Sequence, residues 1–300
     1  MDMTQNKCCR HGASLRRRRR RHRKILRFII FSYSIIAVAV FVAVGSRMIT
    51  SGDGGTNKYD VEAGNNTYDN AVIENSKISE KNKIQNNQSM LDDIMNSTQY
   101  PKQLQELALK NEEALEFVYD YPAEHVKEHT IDLTEEASMD SVPLFVQWDK
   151  RWGYEKYSGN FFAASGCGPT TLSMVVVYLT HNREASPIAV AKYSKEAGYS
   201  VDGSGSSWTL ISEGCRHYGV KAKTVALDES RMKAELDAGH PIVVNVGPGD
   251  FTDTGHFMVI TGYDDEGFSI NDPNSIEKSG KRWLFKNISS QIRAVWSMYV

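Results

Sequence analysis

Nineteen consecutive residues without a charge, Phe28 to Ser46 (FIIFSYSIIAVAVFVAVGS), divide this chain into parts that cannot share one water-soluble core. As a helix rising about 1.5 Å per residue the run would be roughly 28 Å long, close to a hydrocarbon core of about 30 Å. Its flanks carry no matching amphipathic helices, which argues against a buried core helix. Ala43-Val44-Gly45 is a passable cleavage site, so a signal peptide is the competing reading. The run is nevertheless longer than the usual h-region of about 7–15 residues, and it reads as a retained signal anchor. Residues 1–27 carry 11 Lys and Arg against a single acid, Asp2, which places the N-terminus in the cytoplasm and the rest outside. The run Arg16–Arg21 also fits a nucleic-acid patch, but beside a span, topology and anionic-lipid contact explain it more simply. The expected partner of this end is the lipid bilayer, through residues 28–46, and not nucleic acid.

The net charge of −2 averages unlike regions: residues 47–140 hold 8 basic and 19 acidic side chains, residues 141–300 hold 16 and 17. Residues 47–99, rich in Asn, Asp, Ser, Gly and Lys, show no sustained apolar period and read as a flexible polar linker. Such a coil reaches on the order of 40 Å. From Pro101 the pattern changes: Leu104, Leu107, Ala108, Ala114, Leu115 and Val118 recur at helical spacing until Tyr121-Pro122. This stripe predicts a helix docked on the following domain, with a propeptide-like helix over the site as the alternative. Residues 122–140 read as an acidic connector.

Residues 141–300 are long enough for one well-buried core. Helices are expected over Pro169–Leu179, Pro187–Ala197, Ser207–Tyr218 and Glu229–Ala238, with Gly198, Gly219 and Gly239 at or just past their ends. Strands are expected over Pro241–Val246, His256–Tyr263, Gly267–Asn271, Lys281–Phe285 and Arg293–Tyr299. Helices first and antiparallel strands second predict an α+β domain.

Four cysteines are present, and Cys8 and Cys9 fall on the cytoplasmic side. Cys167 lies in Ser165-Gly166-Cys167-Gly168-Pro169-Thr170, a glycine-flanked turn at a helix start. Backbone N–H groups and the helix dipole there favour thiolate, so Cys167 reads as a nucleophile. A disulfide with Cys215 and an inert structural cysteine are the other readings, although Cys215 itself looks like a small core residue. His256 opens one strand and Asp272 closes the next, and a hairpin would bring them together as base and orienting group. Gln147 could donate to an oxyanion beside the N–H of Cys167, or could be a surface glutamine in a strand. His181, His217 and His240 read as surface or core filler. Neither HExxH nor a Cys/His cluster at ligand spacing occurs, and no metal or cofactor is expected.

The set VPLFVQWDKRW, AASGCGPTTLSMV, GHPIVVNV, GHFMVITGYD and INDP resembles the bacterial cysteine peptidase family 39-like group. These are papain-like relatives of the peptidases that trim double-glycine leaders from bacteriocins. The resemblance covers about Val142 to the C-terminus. It implies a papain-like fold, with Cys167 as nucleophile, His256 as general base, Asp272 as orienting group and Gln147 as oxyanion donor. Two departures stand out: 19 residues separate Gln147 from Cys167, more than in leader-processing members, and no GxxxxGK[ST] follows. The expected function is a membrane-anchored extracytoplasmic thiol peptidase acting on a peptide or protein substrate. A cell-wall peptide amidase using the same residues and a catalytically silent peptide-binding module are the alternatives.

Overall fold

The computed structural model describes the backbone of residues 66–300 and the side chains of residues 79–300. The apolar run Phe28–Ser46 and its basic flank lie outside the described residues. Among the described residues no helix is long and apolar enough to cross a membrane. One compact unit spans Tyr68–Val300.

Helix α1 (Asn66–Asn96) occupies most of the stretch expected to be a flexible linker through residue 99. That expectation is corrected for residues 66–96. Among the described side chains of α1 the buried apolar set lies in the last turns: Ile94 is fully buried, and Met90 and Leu91 pack beside it. A stripe this short does not register over a long polar window. Helix α2 (Lys102–Lys110) follows, with Pro101 as its N-cap residue. Asn111 interrupts the stripe with an extended backbone, and its side chain accepts from the Glu113 N–H to restart the chain as a 3₁₀ turn. Helix α3 (Leu115–Tyr119) completes the segment. All six apolar positions from Leu104 to Val118 are buried, in a cluster that includes Phe161 and Ala163. The docked reading of this stripe therefore fits, as three pieces in place of one helix.

The domain proper begins with a small hairpin, β1 (Lys156–Tyr157) and β2 (Asn160–Phe161). Next come α4 (Cys167–Thr180) and α5 (Pro187–Glu196), then a second hairpin, β3 (Ser200–Val201) with β4 (Gly205–Ser206). Strand β5 (Lys221–Thr224) and helix α6 (Glu229–Asp237) precede β6 (Ile242–Val246), β7 (His256–Asp264), β8 (Gly267–Asn271), β9 (Arg282–Trp283) and β10 (Ile292–Tyr299). The last six strands form one antiparallel sheet in the order β5-β10-β6-β7-β8-β9. The domain is α+β, as expected.

The sheet is covered on both faces, which is why β6 and β7 read as nearly unbroken apolar runs. Val243, Phe257, Val259, Trp296 and Met298 share a core with Leu172 and Met174–Val177 of α4. Val244, Met258, Ile260 and Ile270 join Met232 of α6 and Ile288 in the other core. Ten residues of α4 are buried, so this helix is central to its layer. It ends at His181 in the left-handed region, with φ 53°, where its Nδ1 meets the Ala137 carbonyl at 2.8 Å.

Within the domain, the strand expected over Lys281–Phe285 is only Arg282–Trp283, with Phe285 opening a helical turn, and other elements differ as well. The helix expected over Ser207–Tyr218 is broken into a turn at Thr209–Ser212 and a 3₁₀ turn at Gly214–Tyr218. Gly214 lies under the Tyr199 ring, where an added Cβ would come within 3.0 Å, and this close approach accompanies the break. Strand β5 was not expected: KAKT has no alternating apolar face and pairs at the sheet edge with β10 alone.

Candidate active site

Cys167 is the first residue of α4, after a short helix at Phe162–Ser165 and the turn at Gly166. The glycines flanking it are required for space. A Cβ on Gly166 would lie 2.6 Å from the Phe162 ring, and one on Gly168 would lie 2.5 Å from Ser206 Oγ. Strand β4 is thereby pressed against the start of α4, with the thiol partly exposed at the helix N-terminus. The N–H groups of a first helical turn have no intrahelical acceptor, so they are available to an anion there.

His256 opens β7 opposite Val246, and Asp272 follows the last residue of β8. The hairpin pairing of Val259 with Asn271 brings these strand ends together. His256 Nε2 lies 2.6 Å from Asp272 Oδ1, with both residues buried. With Nε2 donating to the carboxylate, Nδ1 is the nitrogen left for the thiol. Burial alone would push the Cys167 thiol up. The hydrogen bond and charge of His256, with the N–H groups of Phe257 and Gly168, outweigh it and hold the thiol below its ordinary value. For His256, burial pulls downward, while the Asp272 carboxylate and the thiol sulfur raise it well above the ordinary imidazole range. Both shifts favour the same state, a thiolate beside an imidazolium.

Gln147 is buried in an irregular segment, not exposed on a strand. Its N–H donates to the Pro273 carbonyl at 2.7 Å, tying it to the turn that carries Asp272. Its Nε2 donates to the Ala163 carbonyl at 2.7 Å, four residues before Cys167, and its Oε1 has no hydrogen-bond partner. One amide hydrogen is thus engaged and the second is not accounted for by a protein acceptor. The structure brings Cys167, His256 and Asp272 together and sets Gln147 against the elements on either side of them.

A cleft of about 650 Å³ runs past Cys167. Its lining includes Gly203–Ser206, Trp208, Asn245, Gly247 and Arg293. Arg293 is the single charged side chain lining it, and one guanidinium N–H donates to the Ser290 carbonyl at 2.9 Å. Cys215 lies in the core as a free thiol, and burial pushes it up to about 11. His217 stacks on Tyr193 at 4.0 Å and His240 faces Glu235 at 3.2 Å, each away from Cys167. Among the described residues no cluster of His, Cys, Asp or Glu is placed to hold a metal ion.

The groups that hold Asp272 have no signature in the sequence around it. The Asn274 N–H donates to Asp272 Oδ1 at 2.8 Å, and the Asp272 N–H donates to Ser279 Oγ at 2.9 Å. Asn271 Nδ2 reaches the carbonyls of Val142 and Pro143 at 3.0 and 3.1 Å. The last pair joins segments more than 120 residues apart, a contact with no local sequence signal.

Solved structures with weak likeness to the chain include two peptidase domains. The peptidase domain of Streptococcus ComA, a bifunctional ABC transporter involved in a quorum-sensing pathway, is 20% identical with a TM-score of 0.36. That match covers 45% of this chain and 90% of the ComA domain. A putative C39-like peptidase from Bacillus anthracis is 16% identical with a TM-score of 0.34, over 53% of this chain and 95% of its own. No curated protein matches the chain. The model of the Peptidase_C39 like family matches residues 139–300, the segment that contains the α+β domain and the Cys167 site. With more than half of its length matched, the chain belongs to the Peptidase_C39 like family.

Proposed function

We propose that this chain is a thiol peptidase, anchored in a membrane by residues 28–46, whose domain cleaves peptide bonds outside that membrane. The observation that carries the reading is the contact series Cys167, His256, Asp272, with both the thiol and the imidazole shifted towards their charged forms. In this reading the Cys167 thiolate attacks the scissile carbonyl carbon, and its electrons pass to the carbonyl oxygen. The N–H of Cys167 and the free amide hydrogen of Gln147 meet that oxyanion. His256 gives its Nδ1 proton to the leaving amine as the C–N bond breaks, producing an acyl-enzyme thioester. Water then enters, His256 takes its proton, and the released acid restores the thiolate. Asp272 keeps its carboxylate on Nε2 throughout and holds the imidazole in the orientation that aims Nδ1 at sulfur.

The cleft supports a coarse statement about substrate. Small side chains dominate the lining from Gly203 to Ser206, and Arg293 supplies one positive charge. Peptides carrying a carboxylate near the scissile bond fit this lining better than cationic ones. The stem peptides of a cell wall satisfy that description, which keeps amidase action on them within the same chemistry. The test is peptide-library cleavage by the parent and by Arg293→Gln. The reading predicts that acidic peptides are cleaved preferentially by the parent and that Arg293→Gln removes the preference. Preference for basic peptides by both proteins would contradict the charge argument.

A further inference from the structure

The turn that carries Asp272 is held from outside the family-matched segment. Asn111 Nδ2 donates to the Asn274 carbonyl at 2.9 Å and to Asn274 Oδ1 at 3.1 Å. Two residues on, the Glu113 carboxylate accepts from the Ser275 hydroxyl, from the Ile276 N–H at 2.7 Å and from the Glu277 N–H at 3.0 Å. Those two N–H groups belong to the opening turn of the short helix Ile276–Ser279, whose N-cap is Ser275. An opening turn has no acceptors of its own, and Glu113 supplies them from 163 residues away. Bonds to an ionised carboxylate are about twice as strong as neutral ones.

The same helix reaches back to the site. Ser279 Oγ accepts from the Asp272 N–H at 2.9 Å and donates to the Ser275 carbonyl at 2.7 Å. Asp272 Oδ1, the oxygen facing His256, also accepts from the Asn274 N–H at 2.8 Å. A continuous series therefore runs from Glu113 through Ser275, Ser279, Asp272 and His256 to Cys167. On its other side the turn is held by the Gln147 N–H on Pro273 and by Trp148 Nε1 on Asn274 at 3.3 Å.

We propose that Asn111 and Glu113 are positioning residues: they hold the 272–279 turn so that Asp272 Oδ1 stays in register with His256 Nε2. The segment before residue 139 is then part of the working site and more than a support between tether and domain. The proposal rests on the reading of Cys167, His256 and Asp272 as one catalytic unit. Two features separate positioning from stability. Ile276 and Glu277 are exposed, so water can satisfy their N–H groups when Glu113 is truncated, and the stability cost is confined to the buried Ser275 hydroxyl. Asp272 is fully buried, so a shift of its turn is felt at His256, where tolerance is a fraction of an ångström.

The test is the pH profile of iodoacetamide alkylation at Cys167, read by mass spectrometry on the full chain. It is run for the parent, Glu113→Ala, Glu113→Gln, Asn111→Ala and His256→Ala, with thermal unfolding of each. Glu113→Ala is expected to move the alkylation midpoint upward, towards the His256→Ala profile. Its rate at neutral pH should fall by about tenfold, within the range a small misplacement produces. Glu113→Gln keeps one acceptor oxygen and should lie between Glu113→Ala and the parent. Asn111→Ala should move the same way by less, and it carries the test if Glu113→Ala does not fold. A parent-like profile in these variants, whether or not the melting temperature falls, overturns the proposal. If His256→Ala moves the profile and the Asn111 and Glu113 variants do not, the positioning role alone fails. If His256→Ala itself moves nothing, the catalytic reading fails and takes the proposal with it.

Discussion

Cys167 and Cys215 have the same side chain and thiols shifted in opposite directions, and the difference comes from their surroundings. Cys167 meets an imidazole and two N–H groups, whereas at Cys215 burial outweighs the nearby Arg216 charge and a backbone N–H. The Cys167 thiol is held below its ordinary 9.0, so its alkylation should persist at pH values where an unperturbed thiol is protonated and slow. Removing the imidazole in His256→Ala removes the charge that favours thiolate, so the alkylation midpoint should rise. A pH series of iodoacetamide rates checks both the position and the direction. Cys215, pushed up to about 11, should stay unmodified in the native chain at neutral pH and react only after denaturation. Peptide mapping of labelled native and denatured protein reads this directly. The placement of Cys167 was legible in the sequence because Gly166, Gly168 and Pro169 mark a helix start. The meeting of His256 and Asp272 was legible as hairpin ends. Glu113, Ser279 and Asn274 were not, because their roles arise where distant segments meet.

At the scale of elements, the site depends on how closely α4 approaches the β3–β4 hairpin. Gly168→Ala places a methyl group 2.5 Å from Ser206 Oγ and 2.7 Å from its Cβ, with Leu210 behind. Overpacking of this kind costs about 1–3 kcal/mol. Chemical denaturation should show that loss, and Ser206→Gly in the same chain should restore part of it by clearing the contact. Additive losses in the double variant would contradict the packing argument. The sequence carried the main helices and central strands because α4, β6 and β7 have strong apolar patterns. It did not carry β5, whose Lys221-Ala222-Lys223-Thr224 has no such pattern and forms only because β10 offers an open edge. The break at Glu213–Gly214 was equally hidden: the residues suit a helix, and the Tyr199 ring above Gly214 lies in another element.

At the scale of the molecule, the segment before residue 139 is fastened to the domain in two ways. Its apolar face packs on Phe161 and Ala163, and its polar residues Asn111 and Glu113 reach the Asp272 turn. Leu104→Ala should therefore destabilise the whole domain by about 2–5 kcal/mol, the range for a fully buried leucine. A single cooperative unfolding transition at lower denaturant would show it, whereas separate melting of residues 79–120 would contradict it. The polar composition of residues 66–96 concealed this attachment, since among its described side chains α1 buries only those near its C-terminal end. The membrane part of the proposal is checked by fractionation: the full chain should sediment with membranes, and a chain lacking residues 1–46 should not. The central claim is that Cys167 performs acyl transfer on peptides, and a peptide library incubated with the parent and with Cys167→Ser tests it most directly. The account predicts new termini from the parent, a transient acyl adduct on Cys167, and neither product from Cys167→Ser. Peptide binding of equal strength by both proteins, without cleavage by either, would contradict it and identify the chain as a binding module.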